Sequence, residues 1–150
     1  MKSKRFEPIR DIAENSAKDL SQTMAEAERR VVELERQLQQ LQNYREDYLL
    51  TAAQVSGPMD TVRLQNNRAF LDRLADAIRA QLQKVGVARA EYEVRRSQWS
   101  EKRIEAEALG RAVDRFRHEE RNVVDRHEQG EADDTGLRLW RAARGPRDGL

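Results

Sequence analysis

The chain holds two histidines, His118 and His127, the natural place to look for metal or acid–base chemistry. They are nine positions apart with acidic neighbours, whereas side chains that share a helical face stand three or four apart. That spacing suits two solvated rings better than a metal pair. There is no cysteine, hence no disulfide framework and no thiolate metal site, which fits a reducing cytoplasm. Neither a glycine-rich phosphate loop nor a helical HExxH pair occurs. Catalysis needs polar groups converging in a dry pocket, and no such constellation stands out. The expectation is a non-enzyme without metal or cofactor.

The residue types that repeat at a telling spacing are apolar and aromatic. Gln37, Leu41, Tyr44 and Tyr48 recur in steps of four, three and four, and Phe70, Leu74, Ala77 and Gln81 do the same. Brought side by side they make a broad stripe with aromatic residues at its edge, the composition of an interaction hot spot. The same residues can equally serve to widen a helix–helix seam. Which elements would place them decides how far either reading goes.

Of the 150 residues, 37% are charged, 38% hydrophobic and 5% aromatic. That is too polar for an ordinary compact core, and leaves disorder, a solvated helical array or a coiled coil. The 28 basic and 27 acidic side chains nearly cancel, so bulk charge calls for no nucleic acid and no acidic membrane. No apolar run approaches the roughly 20 residues that span a bilayer, and Met1–Arg5 leads into no signal-peptide core.

Periodicity decides for the coiled coil. From Phe6, steps of three and four pass through Ala13, Ala17, Leu20, Met24, Ala27, Val31, Leu34, Leu38, Leu41, Tyr48, Ala52 and Val55, broken only by Arg10 and Arg45. A second seam runs from Leu64 through Leu71, Leu74, Ile78, Val85, Ala88, Tyr92, Trp99, Ala106, Leu109, Val113, Phe116 and Val123, with Gln81, Arg95, Lys102 and Glu120 as polar intruders. Sustained heptads of this kind specify packed helices. Gly57–Pro58 separates the arms as a stop signal, and Asp60 is placed to cap the second. Pro8 is best tolerated in a first turn, so the first helix is expected to begin near Glu7. The fold expected is all-α, a long antiparallel two-helix coiled coil (helical hairpin) over 1–134. Its arms cover about 6–55 and 60–129, its turn 56–59, and a disordered tail 135–150 follows the glycine-rich end. Gly86 and Gly110 interrupt the second arm, either as bends or as points of close approach.

Folding at the break brings Leu41 opposite Leu74, Leu38 opposite Ala77 and Leu34 opposite Gln81 or its neighbours, and puts Phe6 near Leu109. Val113, Phe116 and Val123 then overhang, either as an intermolecular surface or as a frayed helix end.

At these residues the chain resembles the flagellar type III export protein FliJ family. The resemblance is carried by Leu41-Gln42-Asn43-Tyr44-Arg45-Glu46-Asp47-Tyr48, by the stretch from Asn67 to Gln81, by Arg5-Phe6, by Trp99 to Leu109, and by the ending from Glu128-Gln129 to Asp133-Asp134. It implies a non-enzymatic component of the flagellar export apparatus with a stalk-like coiled coil. The end bearing both termini would enter the ring of the hexameric export ATPase and promote its assembly. The resemblance further implies contact with the cytoplasmic domain of the export gate protein and with export chaperones. The gate surface maps onto Gln37, Leu41, Tyr44, Tyr48, Phe70, Leu74, Ala77 and Gln81. The ATPase end maps onto Phe6, Ile9, Ile12 and Ala13, with Leu109, Val113 and Phe116. Some members carry a histidine where this chain has Gln81. A cytoplasmic protein, peripherally associated with the inner membrane at the flagellar base and monomeric outside the complex, is implied. The rival readings are a holdase chaperone gripping clients between its arms, and a structural coiled-coil dimer with no hairpin.

Overall fold

The computed structural model describes every residue except 55, 56, 58, 59 and 146–150. Two helices account for nearly all of it, α1 (Lys2–Gln54) and α2 (Thr61–Arg144), and they pack against each other in the all-α antiparallel coiled-coil class expected. Of the expected turn 56–59, only Gly57 falls within the described residues. Its φ of +128° lies where a Cβ would be strained, so glycine is the residue that can stand there. Asp60 then starts α2: its carboxylate accepts the Arg63 amide at 2.6 Å, and its carbonyl oxygen accepts the Leu64 amide at 3.1 Å. This is the N-cap the sequence called for.

Helix α1 starts earlier than expected, at Lys2, with Pro8 inside it. A proline past the first turn removes one backbone hydrogen bond, at a cost of up to about 3 kcal/mol. The opening turn is held from outside the helix. The buried Ser3 gives its backbone N–H to Glu120 Oε1 at 3.0 Å and its hydroxyl to Glu120 Oε2 at 2.6 Å, which satisfies one of the helix's orphan amides. Helix α2 likewise runs past Gln129, the end expected from the glycines, to Arg144. Every described residue after Glu120 is exposed. The tail expected over 135–150 falls in part on this unpacked helical end and in part, from 146, outside the described residues.

The chain divides into two compact units. In the unit Ser16–Lys102 the core is Leu34, Val85 and Ala88, with Val31 and Leu38 packed against it. Buried Leu74 and Ile78 continue the α2 side toward the turn. Tyr48 donates its hydroxyl to Asn67 Oδ1 at 2.6 Å, and Gln81 reaches the Leu34 backbone, the register that folding at Gly57 requires.

In the unit formed by Met1–Asn15 and α2 from Arg103 onward, Ala13, Ala106 and Val113 are buried. Phe6 lies against Phe116, ring centroids 5.1 Å apart, and Arg117 pairs with Glu7 at 2.6 Å. This corrects the expected Phe6–Leu109 level by one heptad. Heptad positions are interchangeable to apolar packing alone, and the ring stack, the Ser3–Glu120 bonds and the Glu7–Arg117 pair select among them. The expected overhang shrinks with it. Val113 is fully buried and Phe116 half-buried, leaving Val123, 63% exposed, as the one member of that stripe facing solvent.

The interior glycines are not points of close approach. A Cβ built on Gly86 or Gly110 meets nothing within 4 Å.

Candidate recognition surface

The stripe proposed from the sequence lies wholly in the unit Ser16–Lys102. Its α1 half is Gln37, Leu41, Tyr44 and Tyr48; its α2 half is Phe70, Leu74, Ala77 and Gln81. The antiparallel register sets the aromatic members at one level, because Tyr48 meets Asn67 and Phe70 follows one turn later on α2. The Phe70 ring is wedged between both tyrosines: centroids are 4.5 Å from Tyr48 in a tilted contact and 5.9 Å from Tyr44 in an edge-on contact. Edge-to-face rings at such separations attract through their quadrupoles, by about 0.5–1.5 kcal/mol beyond area burial.

The eight residues divide by exposure. Leu74 and Gln81 are buried in the seam, while Gln37, Leu41, Tyr48 and Phe70 are half-buried. Tyr44, 56% exposed, and Ala77 face solvent. The outward surface is therefore the Tyr44 ring with Ala77 and the flanks of Phe70 and Tyr48, over the buried Leu74 and Gln81.

Gln81 has turned inward. Its side-chain N–H groups go to the Leu34 carbonyl oxygen at 2.9 Å and the Gln37 side-chain oxygen at 3.1 Å. That bonding satisfies a buried amide which would otherwise be costly, and it fixes the Gln37 side chain from below. Asn67, absent from the stripe as read from sequence, belongs to its support because it accepts the Tyr48 hydroxyl. The signal for it was an asparagine at a position of the second seam.

At the other candidate surface, Ala13 and Val113 are buried, Phe6, Leu109 and Phe116 are half-buried, and Ile9 and Ile12 are exposed at 48% and 69%. Two aliphatic side chains in water on α1 thus stand beside packed neighbours. Lys2 Nζ lies 5.7 Å over the Phe116 ring, a cation–π contact that ties the first turn to α2. Met1, Lys2, Phe116, Glu119, Glu120 and Val123 line a shallow groove there. Glu120 titrates below the ordinary glutamate range, chiefly through the Ser3 hydroxyl and then the Ser3 backbone N–H, with desolvation opposing both.

His127 pairs with Glu131 one turn on, at 3.2 Å, both exposed. Among the described residues there is no cluster of His, Cys, Asp or Glu able to hold a metal ion, and no helix long and apolar enough to cross a membrane.

A family model described as flagellar FliJ protein matches residues 1–145. No curated protein and no solved structure gives a match.

Proposed function

The chain belongs to the flagellar FliJ family, and from that premise we propose that it acts without catalysis in flagellar type III protein export, linking the export ATPase to the export gate. The observation that carries this is the aromatic edge of Tyr44, Phe70 and Tyr48. Together with Gln37, Leu41, Leu74, Ala77 and Gln81 it makes up the stripe, which reads as the contact for the gate protein's cytoplasmic domain. An exposed ring on a fixed support is the kind of anchor that dominates binding energy, since little side-chain freedom is lost on contact.

The unit holding Ile9 and Ile12 enters the ATPase ring in this reading and favours its assembly. Ile9 and Ile12 make the contact, Ala13 and Val113 only shape the helix pair, and Phe6, Leu109 and Phe116 lie at the border. Export chaperones are further partners, and the protein works in the cytoplasm at the membrane-embedded flagellar base.

The test is a pair of binding assays on purified full chain. Tyr44→Ala with Phe70→Ala should weaken binding to the gate's cytoplasmic domain at least tenfold and leave helicity and ATPase binding unchanged. Ile9→Asp with Ile12→Asp should do the reverse. If the first variant loses helicity, the rings serve packing and the gate assignment falls.

A further inference from the structure

The α2 side of the unit Ser16–Lys102 carries a second apolar line, set apart from the seam with α1. Ala80, Val87 and Val94 repeat every seven residues and face solvent, Val87 at 67% and Val94 at 52% exposure. Ala80 and Val87 border a groove floored by Leu34 and Ala88 and rimmed by Arg30, Lys84 and Glu91. An i, i+7 line supplies one of the two apolar positions per heptad that a coiled-coil seam uses, enough for a narrow contact with a further helix.

The line is self-complementary. When a second α2 runs antiparallel with Val87 opposite Val87, Ala80 falls opposite Val94, and Lys84 comes beside Glu91 of the other copy. The Val87 pair then lies on the two-fold axis, and the Ala80–Val94 and Lys84–Glu91 pairs each occur twice, as an isologous contact requires. The charges agree with the geometry. Lys84 and Arg30 lie on the same rim as Glu91, and among the described residues neither cation holds an ion pair within its own chain. Glu91 holds Arg95 at 3.0 Å in an exposed i, i+4 pair, worth too little to resist exchange.

We infer that this face is a homodimer contact: two copies join through antiparallel α2 helices about Val87, with Lys84 and Arg30 of each meeting Glu91 of the other. An interface this narrow belongs to the weak, transient class, and its rim charges make it stronger at low salt. It uses neither the Tyr44 edge nor the Ile9–Ile12 surface, and it departs from the monomer implied by family resemblance.

Sedimentation equilibrium of the full chain, at high concentration and low salt, tests this. The parent should approach twice its 17.5 kDa mass. Val87→Asp should sediment as a monomer with unchanged helicity, since that side chain is not part of the seam. Lys84→Glu should weaken association at least tenfold, and adding Glu91→Lys should restore it to within about threefold, because the swap rebuilds both symmetric pairs. A parent that stays monomeric, a dimer indifferent to Val87→Asp, or a charge swap that fails to restore association would each overturn the assignment.

Discussion

Gln81 donates its side-chain amide to the main-chain carbonyl oxygen of Leu34, 47 positions away, beside the apolar cluster of Leu34, Val85 and Ala88. A single buried polar residue in a coiled-coil core sets register at some cost in stability. Gln81→Leu keeps the volume and removes the polar demand, and the Leu34 carbonyl can still accept its own helical bond. Its unfolding free energy in urea should stay within about 1 kcal/mol of the parent. A loss of several kcal/mol would mean that the amide is structurally required.

The same bond holds Gln81 in the buried seam, away from the exposed Tyr44 ring. If Gln81 supports the surface only through Gln37, Gln81→Leu should cost gate binding less than Tyr44→Ala does. Titration calorimetry with the gate's cytoplasmic domain ranks the two variants. The reverse order would place Gln81 itself in the contact.

Glu120 gives a pH dependence with a definite sign. Its hydrogen bonds from Ser3 lower its folded pKa beneath the ordinary 4.5, so the folded chain holds that proton less readily than the unfolded one. The resulting stabilisation is complete above the unfolded value and is lost as pH falls through the lowered folded value. Carboxyl carbon NMR should therefore show Glu120 titrating below its exposed neighbours. Ser3→Ala should return it toward the ordinary range, with the first turn of α1 fraying in step.

The Phe6–Phe116 level can be tested directly because the chain contains no cysteine. A short bismaleimide should link Phe6→Cys to Phe116→Cys in preference to Leu109→Cys. Equal yields at both positions would show that the helix ends sample two heptad registers. A double-mutant cycle on the rings should return a coupling of about 0.5–1.5 kcal/mol.

Gly86 is solvent-exposed inside α2, and a Cβ there would touch nothing. Gly86→Ala should therefore raise stability by about 0.5–1 kcal/mol, the ordinary helix-propensity difference, read as a higher thermal midpoint. A decrease would indicate a conformational need for glycine at this position.

Much of the arrangement was legible because it is encoded locally. The two seams, the stop at Gly57, the cap at Asp60 and the shared level of Tyr44 and Phe70 all follow from spacing within a few turns. What escaped depends on distant partners. The start of α1 at Lys2 depends on Glu120, 117 positions from Ser3. The pairing of Phe6 with Phe116 was hidden because heptads repeat and Leu109 was an equally apolar choice. The inward turn of Gln81 was also illegible, since its acceptors, the Leu34 carbonyl and the Gln37 side chain, become neighbours only once the helices pair. Exposure divided the stripe in a way its even spacing could not, separating Tyr44 from Leu74 although both repeat in step.

Beyond Glu120, α2 is helix without a tertiary anchor: its side chains reach one another, as in His127–Glu131 and Arg144 over the Trp140 ring, but none is buried. Such a segment sits close to its own melting point in water, so its amide protons should exchange with solvent far faster than those around Val113. Any partner that grips it must supply the order as well as the contact. Affinity there becomes a matter of chain entropy, adjustable by substitutions such as Gly130→Ala or Gly136→Ala at positions the partner never touches.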